Sequence, residues 1–335
     1  MKPSSYSLTL LTVNYKSAIW LNQNIEILRT LNTSISFKWI VVNNTPESCD
    51  LREVFDPDFT ILKGSPYLGK NQFPATYHHA QGLNSALPYI KSDYLIVIDP
   101  DFFLYFHDGL SLILNHMAVN NLSFFGVPWH PIRPSKYRDF PCVHFMAIDT
   151  SRVDLKNLNF SPFYEHGMFT PLSLLPSYPT YIRYFHFLKI LKVLDIFFTS
   201  FLHLPILQLG KRFQNGRSLD TGSSVYMQYF ASNNHDSEVV SPIFHPSQIN
   251  KISDRFRFVV DRFVDLFVPS FLKLHPYRYS FVKSIFPDSL GSFKPEEFSW
   301  RGSYFGFHMR LYPSSRRNAY DALLSSFQNI KKLTY

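Results

Sequence analysis

Ser92-Asp93-Tyr94-Leu95-Ile96-Val97-Ile98-Asp99-Pro100-Asp101-Phe102-Phe103 is an apolar run followed at once by two carboxylates one residue apart. An apolar run this short, bounded by polar residues, reads as a strand buried inside a parallel sheet. Ligands of open α/β sheets collect at the carboxyl ends of such strands. An Asp-x-Asp there can set two hard oxygen donors on one divalent cation, which then neutralises a diphosphate. A second copy, Asp56-Pro57-Asp58, lies between Phe55 and Phe59 with no strand leading into it and reads as a turn. For Asp99 and Asp101 two readings stand, a metal site or a solvated turn of Asp and Pro.

Outward from this stretch the chain alternates. Leu8 to Val13 reads as a first strand ending at Asn14, and Trp20, Leu21, Ile25, Leu28 and Leu31 place a helix over 17–31. Trp39 to Val42 is a second strand, ending in Asn43-Asn44, and Phe59 to Leu62 a third. A helix over 76–90 then leads into the Asp-x-Asp strand, with further strands at 124–127 and 143–148. Strand–helix alternation of this kind marks a doubly wound, mostly parallel α/β sheet flanked by helices. We place one half of the domain at 1–150 and a second half at 151–335.

The chain has 335 residues, 45% apolar and 17% charged, enough for a sizeable core. Its aromatic share, with 34 Phe and 20 Tyr, needs an outlet. No G-x-x-x-x-G-K-[ST] or G-x-G-x-x-G occurs, which removes the usual support for P-loop and Rossmann dinucleotide readings. The net charge of +8 suits anionic partners such as nucleotide phosphates or lipid headgroups, or else ordinary solubility. Cys49 and Cys142 have neither zinc-site nor disulfide-framework spacing. The first apolar run is shorter than a signal peptide's, so the expectation is a cytoplasmic protein, with peripheral contact on the inner face of the membrane as its variant.

That variant comes from the second half, where an amphipathic helical insertion is expected over about 178–213 and again over 254–285. Lys189, Lys192, Asp195, Thr199 and His203 share roughly 120° of arc, opposite Phe185, Leu188, Leu191, Leu194, Phe198 and Phe201. Such faces pack on the domain or lie in a membrane interface. The charges exclude a comfortable transmembrane span.

Asn14, Tyr15, Asn43 and Asn44 end the early strands and would share an edge with Asp99 and Asp101, where amides could bond a base and ribose. Each is also a common turn former. The order of strand, Asn14-Tyr15, helix, Val41-Val42-Asn43-Asn44, helix and Asp99-Pro100-Asp101 resembles the donor half of GT-A glycosyltransferases, family 2 and its relatives, over residues 7–103. The resemblance implies a nucleotide-sugar donor held by Asn14, Tyr15, Asn43 and Asn44. It further implies Mn²⁺ or Mg²⁺ on Asp99 and Asp101, with Asp99 also holding ribose, and donor contacts from His79 and Asn84 in Tyr77-His78-His79-Ala80-Gln81-Gly82-Leu83-Asn84. Asn43 departs from the family, where many members have Asp.

An inverting transferase also needs a base for the acceptor hydroxyl. Asp220 in Ser218-Leu219-Asp220-Thr221-Gly222-Ser223 is the candidate, either as base or as a helix cap. In Trp300-Arg301-Gly302-Ser303-Tyr304-Phe305-Gly306-Phe307-His308-Met309-Arg310, His308 suits a late metal-completing histidine of several GT-A relatives, and Arg301 and Arg310 suit the departing diphosphate. His144 and His166 are candidate acceptor-side residues. The expected activity is hexosyl transfer to a glycan or lipid-linked hydroxyl of surface-polysaccharide type, without nucleic acid. A nucleotidyltransferase and a non-catalytic membrane-surface binding protein are the alternatives.

Overall fold

A computed structural model describes residues 6–45, 59–64, 75–130, 140–162, 164–165, 217–218, 221–230, 236–243, 280, 282–286 and 295–309. The expected amphipathic helix over 178–213, that over 254–285 apart from 280 and 282–285, and Asp220, Arg310, His166 and Cys49 lie outside them. No helix among the described residues is long and apolar enough to cross a membrane.

The parallel half forms as its pattern demands. Strands β1 (Leu8–Asn14), β2 (Lys38–Asn43), β3 (Phe59–Lys63) and β4 (Tyr94–Ile98) run parallel in the order β3-β2-β1-β4. Helix α1 (Ala18–Leu31) joins β1 to β2, and α2 (Ala75–Ala86), which packs on β1 and β2, leads to β4. β1 and β4 are buried along their whole length, which explains their largely apolar runs. The two threonines within β1 are satisfied: the Thr9 hydroxyl accepts from Ser92 Oγ at 2.8 Å, and that of Thr12 accepts from Trp39 Nε1 at 3.0 Å and donates to the Ile98 carbonyl at 2.8 Å. Successive strands step from β1 to β2 and β3, whereas β4 lies on the other side of β1. The crevice at such a reversal, outside the carboxyl ends of the strands, is where this class of sheet binds ligands.

β5 (Phe102–Leu104) leaves this sheet directly after the Asp-x-Asp and belongs to a second one. After α3 (Gly109–Asn120), strands β6 (Phe124–Gly126) and β7 (Phe145–Asp149) extend the first sheet past β4, with β7 reversed. β8 (Tyr164–Glu165) and β9 (Arg217–Ser218) form a small separate pair, and β10 (Ser237–Val239) caps the main sheet beside β6. β11 (Ser241–Ile243), β12 (Glu296–Trp300) and β13 (Ser303–His308) complete the second sheet in the order β11-β12-β13-β5. The β12–β13 turn is Arg301-Gly302, with both residues at positive φ (52° and 78°), the twist a two-residue hairpin favours and glycine tolerates without cost.

The aromatic richness is spent between the two sheets. Phe102 and Phe305 both contact Phe145 of β7, while Phe298, Phe125 and Trp300 continue the same cluster. Fully burying one such side chain is worth ~1.5–3 kcal/mol, so this layer holds the second sheet on the first. It also fixes how β13 approaches the end of β4.

Candidate active site at the end of β4

β5 and β13 are antiparallel with His308 opposite Phe102, and Met309 N donates to the Asp101 carbonyl at 2.9 Å. This pairing returns a residue near the end of the described chain to the Asp-x-Asp. The next pairing, β12 with β13, sets Glu296 opposite His308. On the other side of β4, antiparallel β7 sets His144 beside Asp99, whose N–H donates to the His144 carbonyl at 3.0 Å. α2 supplies His79. Backbone register thus brings two carboxylates and three imidazoles to one strand end.

The geometry is tight. His144 Nδ1 lies 2.6 Å from Asp99 Oδ2 and, facing an ionised carboxylate, carries the proton and donates it. His308 Nε2 lies 3.2 Å from Asp101 Oδ1 and 3.6 Å from Asp99 Oδ2, while its Nδ1 faces Glu296 Oε2 at 3.2 Å. His79 Nε2 is 3.5 Å from Asp99 Oδ1. The His144 and His308 rings stack at 4.0 Å, and Trp129 packs edge-on against His144. The His144 and His308 side chains are 7% and 4% exposed, against 14% and 18% for Asp99 and Asp101, so the carboxylates and His79, rather than those two imidazoles, keep an outlet to solvent.

Electrostatics follow from that packing. Burial by itself would push Asp99 up, but the hydrogen bond from His144 and the charges of His144, His79 and His308 outweigh it and hold the carboxyl well below the usual carboxylate range. For His308 burial works downward, and is overcome first by Asp101 and then by Glu296, which lift it to about 9. Metal-free His308 is therefore an imidazolium at neutral pH, donating to one carboxylate from each nitrogen.

Asn24 of α1, fully buried, donates from Nδ2 to the carbonyls of Phe102 at 2.6 Å and Pro100 at 3.3 Å, on either side of Asp101. Its Oδ1 is buried with no hydrogen-bond partner among the described residues. The side chain clamps the turn that aims Asp101.

A divalent cation fits this donor set. Asp99, Asp101 and His308 offer hard oxygens and one imidazole nitrogen at separations close to the roughly 3 Å between neighbouring ligands of one ion. Glu296, 1% exposed, stands behind His308 as the carboxylate that orients a ligating imidazole.

The other expected donor contacts divide. His79 joins the cluster. Tyr15 is half-buried at the loop after β1, next to Lys16, which has φ 53°. Asn14 knits the end of β1 to the neighbouring loops. Fully buried, it donates to Asn43 Oδ1 and Thr45 Oγ1, each at 3.1 Å, and its Oδ1 accepts from Ser17 N at the start of α1. Asn43 Oδ1 also accepts from Thr45 N, turning that oxygen into the loop. Asn44 is buried, its Nδ2 donating to the His78 carbonyl. Asn84 clasps the 159–161 loop, accepting from Phe160 N at 2.8 Å and donating to Asn159 Oδ1 at 3.0 Å.

Arg301 lies apart from the carboxylate cluster. It sits in the hairpin turn at the far end of β13 from His308, a strand length of about 20 Å at ~3.3 Å per residue. There it stacks over Trp300 and donates to His116 Nδ1 at 2.5 Å. His144, which the sequence leaves between an acceptor-side role and an ordinary core histidine, lies within the carboxylate cluster.

No protein-family model matches the chain, and no curated protein sequence matches it. Solved structures share parts of the fold. Mannosyltransferase PcManGT from Pyrobaculum calidifontis, in complex with GDP-Man and Mn²⁺, is 15% identical over 47% of this chain and 48% of its own, at a TM-score of 0.37. S. aureus TarS 1-349 in complex with UDP is 10% identical over 46% of this chain and 50% of its own, at 0.33. The galactosyltransferase LgtC, with donor and acceptor sugar analogues, is 10% identical over 45% and 62%, at 0.31. The chain thus spans about half to three-fifths of the length of the structures it matches.

Proposed function

We propose that this chain is a metal-dependent glycosyltransferase that moves a hexosyl group from a nucleotide-sugar donor to a hydroxyl acceptor. The observation that carries the reading is the convergence of Asp99, Asp101 and His308 at the carboxyl end of β4, beside the reversal between β1 and β4. In this reading Asp101 and His308 would hold Mn²⁺ or Mg²⁺ directly, and Asp99 would be shared between the cation and the donor ribose. A cation held there would supply neutralisation of charge on the departing diphosphate. Asn24 and Glu296 keep Asp101 and His308 aimed. His79, half-buried beside Asp99, faces the donor, as does Tyr15 at the mouth of the β1–α1 loop.

Asp220 takes the proton of the acceptor hydroxyl as its oxygen bonds to the anomeric carbon and the bond to the diphosphate breaks, which inverts that carbon. Its neighbour Thr221 donates to the Thr76 carbonyl at 2.8 Å, in the first turn of the helix that carries His79. Arg310, next along the chain from Met309, is assigned to the leaving diphosphate. The acceptor is a glycan or lipid-linked hydroxyl. Product analysis tests the reaction class: nucleoside diphosphate release is expected, whereas pyrophosphate release would make the chain a nucleotidyltransferase. Asp220→Asn is expected to abolish turnover with nucleotide binding retained, and unchanged turnover would remove Asp220 as the base.

A further inference from the structure

We infer that Asp99, Asp101, His144 and His308 form a resident transition-metal centre that this chain fills by itself, before any nucleotide arrives. The inference rests on the donor-site reading and deepens it, because a site of two carboxylates alone takes most of its cation's remaining coordination from waters and substrate phosphates. Here the chain supplies more. One ligand atom each from Asp99, His144 and His308 lie within 4.8 Å of one another, and Asp101 Oδ1 is 3.2 Å from His308 Nε2. His144 is no part of the Asp-x-Asp pattern. It is there because β7 runs antiparallel beside β4, so its position is as fixed as that of Asp99. Ligation by His144 exchanges its 2.6 Å hydrogen bond to Asp99 for a bond to the ion.

Two further groups brace the set from behind. Glu296 accepts from His308 Nδ1, and His79 Nε2 stands 3.5 Å from the other oxygen of Asp99. Both imidazole ligands are nearly closed to solvent. Four protein donors, two of them nitrogen, favour Mn²⁺, Fe²⁺, Co²⁺ or Zn²⁺ over Mg²⁺, which prefers an all-oxygen octahedron.

The test titrates Mn²⁺ alone into the full chain, reading free ion by its electron paramagnetic resonance signal and bound ion by ¹⁴N coupling in the spin-echo spectrum. One Mn²⁺ per chain without nucleotide, coupling from two imidazoles, and resistance to a hundredfold excess of Mg²⁺ are expected. His144→Ala is expected to weaken nucleotide-free binding by about ten- to a hundredfold and to leave coupling from one imidazole. The wild-type spectrum decides the ligand count even if that variant folds poorly. Binding only after UDP, GDP or dTDP is added, or coupling from one imidazole in the wild type, would overturn the resident centre and leave the transferase reading standing. Absence of Mn²⁺ binding with every one of those nucleotides would overturn both.

Discussion

His308 makes the metal-free protein a pH-dependent structure in a window where few other groups titrate. Its folded value of about 9 against an ordinary 6.5 means that the imidazolium is worth about 3 kcal/mol to the fold, at 1.36 kcal/mol per pH unit. Because the folded value is the higher one, this stability is fully present below pH 6.5 and is lost as pH rises towards 9. A divalent cation on Nε2 takes the place of the proton, so metal-bound protein lacks this loss. The same competition weakens the cation: at pH 7 its apparent affinity is about a hundredfold below that of the fully deprotonated site, rising about tenfold per pH unit towards pH 8. Urea melts at pH 6.5, 7.5 and 8.5, in EDTA and in Mn²⁺ under argon, read both effects. The expected result is a midpoint that falls with pH in EDTA, stays level in saturating Mn²⁺, and no longer responds to pH in His308→Gln. A midpoint in EDTA that is level from pH 6.5 to 8.5 would refute the assignment of His308 as a charged link between Asp101 and Glu296.

Three other substitutions separate the parts of the account. Asn24→Leu leaves the Pro100 and Phe102 carbonyls without their donor, and should cost about 1–3 kcal/mol in denaturant melts while weakening Mn²⁺ binding. Full metal affinity in a folded Asn24→Leu protein would show that Asp101 needs no clamp. Arg301→Ala should leave nucleotide affinity in calorimetry unchanged within twofold, given its place at the far end of β13; a tenfold loss would return Arg301 to the diphosphate site. Gly306→Ala puts a methyl 2.4 Å from the Phe103 carbonyl at the β5–β13 seam, so it should lower both thermal midpoint and metal affinity, and wild-type values for both would contradict that pairing.

The parallel half of the fold was legible because buried parallel strands write themselves as unbroken apolar runs, and Leu8–Val13, Trp39–Val42 and Tyr94–Ile98 each fall inside an observed strand. The sequence singles out Asp99, Asp101, His308 and His79 by type and context, and the structure brings the four together. The partners of these residues were not. His144 reaches Asp99 through an antiparallel neighbour of β4, and register between strands far apart in sequence leaves no local mark on an isolated His. Glu296 sits in Glu-Glu-Phe-Ser-Trp, where adjacent acids suggest a solvated surface, yet both are buried. The signal available was the Arg-Gly pair between two aromatic runs, a hairpin that would have set Glu296 across from His308. Asn24 was visible as a polar residue one turn beyond Trp20 in the apolar stripe of α1. The loop-knitting bonds of Asn14 and Asn84 leave no mark in the sequence, because amides that serve a ligand and amides that knit loops have the same composition.

The central claim is a cation-dependent nucleotide site on Asp99, Asp101 and His308. Calorimetric titration of UDP, GDP and dTDP into wild type and Asp101→Ala, each with Mn²⁺ and with EDTA, tests it most directly. The expected result is that one nucleotide binds, only with the metal present, and that Asp101→Ala abolishes its binding. Binding that ignores both metal and substitution, or no binding of any of the three under any condition, would contradict it.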